Sequence, residues 1–200
     1  MRPANPVIPK EPLATSAMVG VGCGIALAQI GVDATPVAPF YKGACGISRP
    51  VSVSSFADGK VKVTAKPLIS CELAETLEKW LDDNVQPAAT SSLGGNVTRL
   101  RVEGSYECRS RDHLEGARIS EHAFGNAIDV SGFEVNGRWI DVGGTHTETE
   151  QSFLDGIRLA ACGPFKTVLG PGSDSYHATH LHLDLAKRRA AGPSRGLFCQ

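Results

Sequence analysis

The chain has 200 residues, of which 42% are hydrophobic and 20% are charged, and its formal net charge is −1. This length suits one domain with a proper core and is short for two. Lys and Arg are scattered and form no basic stripe, so we expect no nucleic-acid partner. The 22 Gly and 12 Pro predict many turns, and therefore a loop-rich α+β fold rather than a helical bundle.

The amino-terminal region predicts a tail followed by a helix. Residues 1–13 are rich in proline and form the predicted flexible tail, so that residues 14–200 make up the single domain. Residues 15–30 predict a short helix of that domain. A signal peptide over 14–28 is the alternative, because the run is apolar, but the prolines before it make a poor n-region. The run is also too short for a stable membrane span.

The next segments predict a linker and a β-hairpin. Prolines punctuate the predicted linker Val32–Lys42. Val51–Phe56 alternates between apolar and polar residues, turns at Asp58-Gly59 and returns from Val61. An Asp-Gly pair between two alternating runs is a strong hairpin signal.

A helix is predicted from Cys71 to about Asn84, with Ser70 as its cap and Pro87 ending it. Four apolar residues recur at helical spacing, and four charged residues are expected to face water. The apolar residues are Leu73, Leu77, Trp80 and Leu81, and the charged residues are Glu72, Glu75, Glu78 and Lys79. We predict that Trp80 belongs to the core.

Further strands and one more helix are predicted in the second half of the chain. The strands are Val97–Val102, Asn126–Val135, Arg138–Val142 and Phe165–Leu169, with a short extended piece at Tyr106–Arg109. Asn136-Gly137 is a two-residue hairpin turn. Thr147 and Glu150 form a capping box for a helix that ends before Gly163-Pro164.

Two polar blocks suggest a metal site. In the last predicted strand, Leu181, Leu183 and Leu185 point to one side, and His180, His182 and Asp184 point to the other. Buried imidazoles and carboxylates are costly unless they are paired or bound to a metal. The second block runs from His122 to Asp129, where Gly125 allows a tight turn.

A single histidine is more typical of a surface or hydrogen-bonded residue than of a ligand. Here four of the six histidines, with two aspartates, fall in the blocks Ser120–Asp129 and His177–Asp184, and the clustering favours a metal site. Three nitrogen or oxygen ligands with an open position for water are the ligand set of a catalytic zinc site.

Six cysteines are spread along the chain, and none forms a C-x-x-C pair. This pattern favours up to three disulfides in an oxidising compartment over a zinc knuckle. Six buried free thiols in a cytosolic protein are the alternative. The sequence leaves the pairing open, because six cysteines allow many connectivities.

The central block also carries a family resemblance. Ser120-x-His122-x-x-Gly125-x-Ala127-x-Asp129, with His180-x-His182 downstream, resembles the zinc peptidases grouped around lysostaphin, the D-alanyl-D-alanine peptidases and the hedgehog signalling domain. From Cys23 onward, the chain more closely resembles the extensin-like C-terminal domain family. The matching pieces are Cys45-Gly-Ile, Tyr106-x-Cys108-Arg109, the central motif, Ala161-Cys-Gly-x-Phe165, Leu169-Gly-Pro-Gly and His180-Leu-His-Leu-Asp184.

The resemblance implies a fold and a ligand set. We expect an α+β fold in which a small antiparallel sheet carries the zinc site, flanked by helices and long loops and stapled by disulfides. His122, Asp129 and His182 would be the ligands of Zn²⁺, with a water in the fourth position.

The resemblance also implies roles for the neighbouring residues. His180 would be the general base or would stabilise the tetrahedral intermediate, and His177 would assist it. His177-x-x-His180-x-His182 is similar to the pattern of the penicillin-insensitive murein endopeptidase. Arg109 would bind a substrate carboxylate or the developing oxyanion. Thr179 stands where many D-alanyl-D-alanine peptidases have a glutamate base, which favours an imidazole base here.

The expected function is therefore a zinc-dependent hydrolase that cleaves amides in the peptide stems or cross-links of peptidoglycan. An endopeptidase is favoured over a carboxypeptidase, acting in the periplasm or cell envelope. Without a signal peptide, the same chemistry would suit an antibacterial effector with an immunity protein as its partner. The alternatives are a wall-binding module that a metal stabilises without turnover and, more weakly, a structural wall protein.

Other polar residues near the motifs receive weaker predictions. His113 and His146 are predicted to be loop residues without a chemical role. Arg111 and Asp112 are predicted to be a solvated loop pair, and a role in shaping the site is the alternative. For Glu121, we expect a side chain that points away from the metal, and a supporting role around the ligands stays open.

Overall fold

The computed structural model describes residues 22–186 and 197–200. The predicted tail 1–13 and the first part of the predicted helix, 15–21, lie outside the described residues. The rest of that helix is confirmed: residues 22–29 form α1. Leu27 packs into the core with 1% of its surface exposed, and Cys23 is bonded to Cys71.

Helices and a mixed sheet make up the described part of the chain, which confirms the α+β class. The further helices are α2 (Cys71–Trp80), α3 (Gln86–Leu93) and α4 (Glu148–Ala161). The strands of the first half are β1 (Asp33–Pro36), β2 (Phe40–Lys42), β3 (Cys45–Ile47), β4 (Pro50–Phe56), β5 (Val61–Val63) and β6 (Leu68–Ser70). Those of the second half are β7 (Val97–Gly104), β8 (Ala127–Val135), β9 (Arg138–Asp141), β10 (Thr167–Leu169), β11 (Leu181–Asp184) and β12 (Phe198–Cys199).

The sheet is larger than the small antiparallel sheet that we expected. Its strands follow the order β1-β4-β5-β7-β8-β11-β10-β12, while β6 pairs with β4 and β9 pairs with β8. The β5–β7 and β10–β12 pairs are parallel. Strands β2 and β3 form a separate ribbon. We predicted too small a sheet because several of its strands span only two to four residues, which is too short to show an alternating sequence pattern.

The core lies between the helices and one face of the sheet. Trp80 is fully buried and packs edge-on against Phe133 and Phe165, with ring centroids 6.3 Å and 5.8 Å away. Its indole N–H donates to the carbonyl of Ile157 at 3.1 Å. The prediction that Trp80 belongs to the core is therefore confirmed.

The helix predicted over Cys71 to Asn84 ends differently in the structure. After α2, a π-helical turn over Leu81–Val85 leads directly into α3, so Pro87 lies in the first turn of a helix instead of ending one. Proline is tolerated there because the first-turn N–H groups have no partner within the helix. Glu78, expected to face water, is only 6% exposed, because its carboxylate accepts the backbone N–H of Ala57 at 3.0 Å.

Two hairpins and one helix cap were predicted correctly from local sequence signals. Strands β4 and β5 pair around the predicted Asp58-Gly59 turn, and β8 and β9 pair around Asn136-Gly137, whose φ angles are 53° and 74°. The capping box between Thr147 and Glu150 is present at the start of α4.

Two segment predictions were wrong. The predicted linker Val32–Lys42 contains β1 and β2, and β1 pairs with β4. Tyr106–Arg109 forms no strand. Instead, the N–H of Tyr106 bonds to Leu68 and the N–H of Glu107 to His122, at 3.1 Å and 3.3 Å. These contacts tie the segment to β6 and to His122.

All six cysteines are paired, as Cys23–Cys71, Cys45–Cys108 and Cys162–Cys199. The prediction of three disulfides is confirmed, and the pairing that the sequence left open is now assigned. Such bonds are typical of proteins that fold in an oxidising compartment. Within the described part of the chain, no helix combines the length and the apolar character needed to cross a bilayer.

Candidate metal centre

Strand pairing brings the two polar blocks together. Strands β8 and β11 are antiparallel neighbours, and His182 lies directly opposite Asp129. Leu181 and Leu183 on either side of His182 belong to the core, so strand alternation turns His182 to the opposite face of the sheet. His182 Nδ1 lies 2.9 Å from Oδ1 of Asp129.

His122 reaches the same place from a short 3₁₀ turn, Glu121–Phe124. The Ser120 side chain caps the turn by accepting the N–H of His122 at 3.4 Å. Gly125 ends the turn with φ 63°. A Cβ on Gly125 would lie 2.4 Å from Ile47, so glycine is required here for space as well as for conformation. His122 itself is 1% exposed.

Three ligand atoms converge in this arrangement. His122 Nε2 lies 3.2 Å from His182 Nδ1 and 3.2 Å from Oδ2 of Asp129. One side-chain nitrogen or oxygen atom from each of His122, Asp129 and His182 lies within 4.8 Å of the other two. The predicted ligand residues therefore meet in space, and two imidazoles with one carboxylate could hold a divalent metal ion.

The outer contacts of both imidazoles fit a metal. The Nδ1–H of His122 donates to the carbonyl of Ser105 at 2.6 Å, which leaves Nε2 for the centre. Nε2 of His182 lies 3.4 Å from the carboxylate of Asp184, which leaves Nδ1 for the centre. Metal-binding histidines usually donate their second N–H to a carbonyl or a carboxylate in this way. The donor set and its outer contacts thus fit a bound metal ion.

Gly104 makes room for the carboxylate. It lies opposite Asp129 across the β7–β8 pair, next to an irregularity in the strand register. A Cβ at this position would lie 2.2 Å from Oδ2 of Asp129. Any side chain here would displace the carboxylate. Sequence reasoning did not identify Gly104, because only the strand register reveals its position.

The charges of the metal-free centre stabilise one another. Burial raises the pKa of Asp129, but hydrogen bonds from His122 and His182 outweigh it and hold the pKa below its ordinary value. Burial lowers the pKa of His182, but its bonds to Asp129 and Asp184 outweigh that and raise the pKa to about 9. Without metal, the centre therefore holds a carboxylate against a protonated imidazole.

His180 lies beside the centre but not in the strand. β11 begins at Leu181, so His180 is the last residue of the preceding loop, and its Nε2 lies 3.6 Å from Oδ1 of Asp129. Burial, together with the neighbouring His177, lowers the pKa of His180, against the opposing effect of Asp129. A neutral imidazole at neutral pH is able to accept a proton.

His177 is oriented by a carboxylate that sequence reasoning missed. Its Nδ1 donates to Asp174 at 2.7 Å, which leaves Nε2 available. The ring centroid of His177 lies 5.3 Å from that of His180 and 5.6 Å from that of His182. The i, i+3 spacing of Asp174 and His177 in a turn was the available signal.

A cleft of about 150 Å³ opens next to His182. Arg109 lines it, and its guanidinium is fixed by Glu107 at 2.7 Å and by the carbonyl of Ser110 at 3.2 Å. The other lining residues are Arg111, Asp112, Ser120, Glu121, Thr167, Leu169, Asp174, His177, Asp184 and Phe198. Of the predicted site residues, the cleft exposes Arg109, His177 and His182, while His122 and Asp129 lie buried beside it.

Several minor predictions can now be located. Arg111 and Asp112 line the cleft, so they are not simply a solvated surface pair. Glu121 also lines it, and its carboxylate accepts the Asn126 amide at 3.4 Å. His113 and His146 are loop residues as predicted. His113 is largely exposed, and His146 donates to the carbonyl of Asp141 at 2.7 Å.

Comparison with known protein families gives a match that covers nearly the whole chain. The family model for the extensin-like protein C-terminus matches residues 21–200. No curated protein and no solved structure matches the chain.

Proposed function

The chain belongs to the extensin-like C-terminus family, and we propose that it is a zinc-dependent hydrolase that cleaves amide bonds in the peptide stems or cross-links of peptidoglycan. The observation that carries the proposal is the convergence of His122, Asp129 and His182 beside an open cleft. When bound there, zinc would act as a Lewis acid and lower the pKa of a bound water to about 7.

The surrounding residues supply the remaining functions. His180, with its lowered pKa, accepts a proton at neutral pH and returns it to the leaving amine. His177, held by Asp174, supports it. Arg109 is fixed in the cleft wall and directs its remaining N–H groups to a substrate carboxylate or a developing oxyanion.

The substrate class rests on the likeness of the central motif to wall peptidases. Thr179 occupies the position where many D-alanyl-D-alanine peptidases have a glutamate base, so an imidazole base is expected here. An imidazole base favours an endopeptidase over a carboxypeptidase. The three disulfides suit action in the periplasm or cell envelope. If the protein is delivered into a rival cell, an immunity protein would be its partner.

The direct test is a digest of purified muropeptides, with products identified by mass spectrometry. We expect the zinc-loaded protein to release fragments cut at an amide of the stem or cross-link. A strong chelator should stop the reaction, and added zinc should restore it. A protein that binds muropeptides without releasing any product would be a wall-binding module, and the hydrolase proposal would be wrong.

A further inference from the structure

The loop between β7 and the His122 turn is firmly built. Cys108 ties its start to Cys45, and Ser110 bridges to Ile119 near its end. The N–H of Arg111 donates to the carbonyl of Arg118 at 2.9 Å, and the Ser110 hydroxyl donates to Leu114 at 2.7 Å. The loop is therefore a closed hairpin-like unit whose backbone is held in place by these contacts.

The tip of this loop has an unusual backbone. Asp112 and His113 have φ angles of 53° and 56°, in the left-handed region. Two consecutive residues other than glycine in this region cost conformational energy, and such residues cluster at functional sites. The turn Arg111–His113 brings both Arg111 and Asp112 to the cleft beside His182.

Arg111 differs from Arg109, His177 and His182, the other basic residues that line the cleft. Arg109 is paired with Glu107, His177 with Asp174, and His182 with Asp184. Among the described residues, the partly buried Arg111 guanidinium has no ion pair or hydrogen bond. A guanidinium has five N–H donors in a planar fork that matches a carboxylate.

We propose that Arg111 is a specificity residue that binds a carboxylate of the substrate close to the cleaved amide. The inference rests on the proposed function for the identity of the substrate. Arg111 and the ligand His182 line the same cleft, so the carboxylate that Arg111 binds lies beside the metal centre and belongs to a substrate residue near the scissile bond. It is either the terminal α-carboxylate of a stem or a side-chain carboxylate within it.

The test compares stem peptides that differ only in charge. One peptide has both carboxylates free, a second has the terminal carboxylate amidated, and a third has the side-chain carboxylate amidated. Binding to the zinc-loaded full-length chain is measured by calorimetry, and KM and kcat are measured separately. We expect one of the two amidations to weaken binding to the wild-type chain and to have no further effect in Arg111→Gln, which identifies the carboxylate that Arg111 contacts.

The variants Arg111→Gln and Arg118→Gln are a matched pair from the same loop, because Arg118 is exposed and does not line the cleft. Arg111→Gln should weaken binding of the free-acid peptide about tenfold or more. It should not change the affinity for the peptide in which the carboxylate contacted by Arg111 is amidated. Arg118→Gln should not change the affinity for either peptide. In Asp112→Asn, the new asparagine also tolerates the left-handed backbone conformation. This variant should bind the free-acid peptide more tightly, because the negative charge of Asp112 no longer repels the substrate carboxylate.

Equal binding of acid and amide peptides by the wild-type chain would overturn the assignment, and so would an unchanged affinity in Arg111→Gln. If Arg111→Gln has the same melting temperature as the wild type, its loss of affinity reflects the missing guanidinium and not a change in folding. Failure of the proposed function gives a different pattern, in which no peptide is cleaved but the acid is still preferred through Arg111.

Discussion

Two groups of residues surround the candidate centre, and they are held in place by different means. The first, which we call the strand group, consists of Asp129, His182 and Asp184 on β8 and β11, whose backbones are hydrogen-bonded neighbours. The second, the loop group, consists of His177 and His180 between β10 and β11 and Arg109 and Arg111 between β7 and β8.

This difference suggests that the strand group serves metal binding and the loop group serves turnover. A strand ladder fixes the distance between opposite residues, so the positions of the ligands Asp129 and His182 depend on the central sheet, while His122 joins them from its 3₁₀ turn. The loop group depends on individual side-chain contacts, such as Asp174 with His177 and Glu107 with Arg109. We therefore expect changes in the strand group to affect metal binding, and changes in the loop group to affect turnover while the metal stays bound.

The largest effect that separates the two groups is expected for His180→Ala. Loss of a general base typically costs about 10²- to 10⁴-fold in rate. Because His180 is not one of the three converging ligands, the variant should retain its zinc. Muropeptide cleavage rates and metal content measure the two properties independently.

His113→Ala is the control, since this exposed histidine lies outside the converging cluster. It should retain both activity and zinc. If His180→Ala cleaves at the wild-type rate, His180 is not the base. If it loses zinc, the proposed separation between the two groups fails.

A smaller effect is expected from carboxylates that contact the imidazoles from outside. Asp184→Asn removes the charge that faces Nε2 of His182, and changes of this kind usually lower metal affinity about 10- to 100-fold. Asp174→Asn makes the equivalent change at His177, in the loop group. It should lower the cleavage rate and leave zinc affinity unchanged.

Competition with a chromogenic chelator measures both affinities. Equal losses of zinc affinity in Asp184→Asn and Asp174→Asn would contradict the comparison, because the loop carboxylate would then support the metal as much as the strand carboxylate does.

The smallest effect on the centre is expected from the carboxyl-terminal strand. Cys162–Cys199 and two backbone bonds, from Phe198 to Lys166 and from Gln200 to Val168, hold β12 beside β10, where Phe198 lines the cleft. Replacing both cysteines by serine should lower the free energy of unfolding by roughly 2–4 kcal/mol. We expect KM to rise severalfold while zinc affinity stays the same.

Chemical denaturation under identical zinc loading measures the change in stability. A loss of zinc in the double serine variant would contradict the account, because β12 pairs with β10 and, among the described strands, is not hydrogen-bonded to the ligand strands β8 and β11.

Much of the site was predictable because its signals are local. The Asn136-Gly137 turn set the register of the β8–β9 hairpin, and the alternation around His182 placed it on the face opposite the core. The convergence of His122, Asp129 and His182 followed from the family resemblance, and the strand pairing agrees with it.

The remaining features depend on tertiary contacts, which leave no local signal. Nothing in the sequence near Ser105 indicates that its carbonyl orients His122, and Gly104 matters only because Asp129 lies opposite. The disulfide partners are 37 to 63 residues apart and are set by the packing of the whole chain. Pro87 was misassigned because a proline within a helical pattern also fits the first turn of a new helix.

The central claim is that His122, Asp129 and His182 together bind one divalent ion. The most direct measurement is the zinc content of the purified chain and of Asp129→Ala after equilibration with zinc and desalting. The control is Asp141→Ala, which changes an exposed residue at the end of β9. The account predicts one zinc per wild-type and control chain and none retained by Asp129→Ala. A wild-type chain that retains no zinc, or an Asp129→Ala variant that retains as much as the wild type, would contradict it.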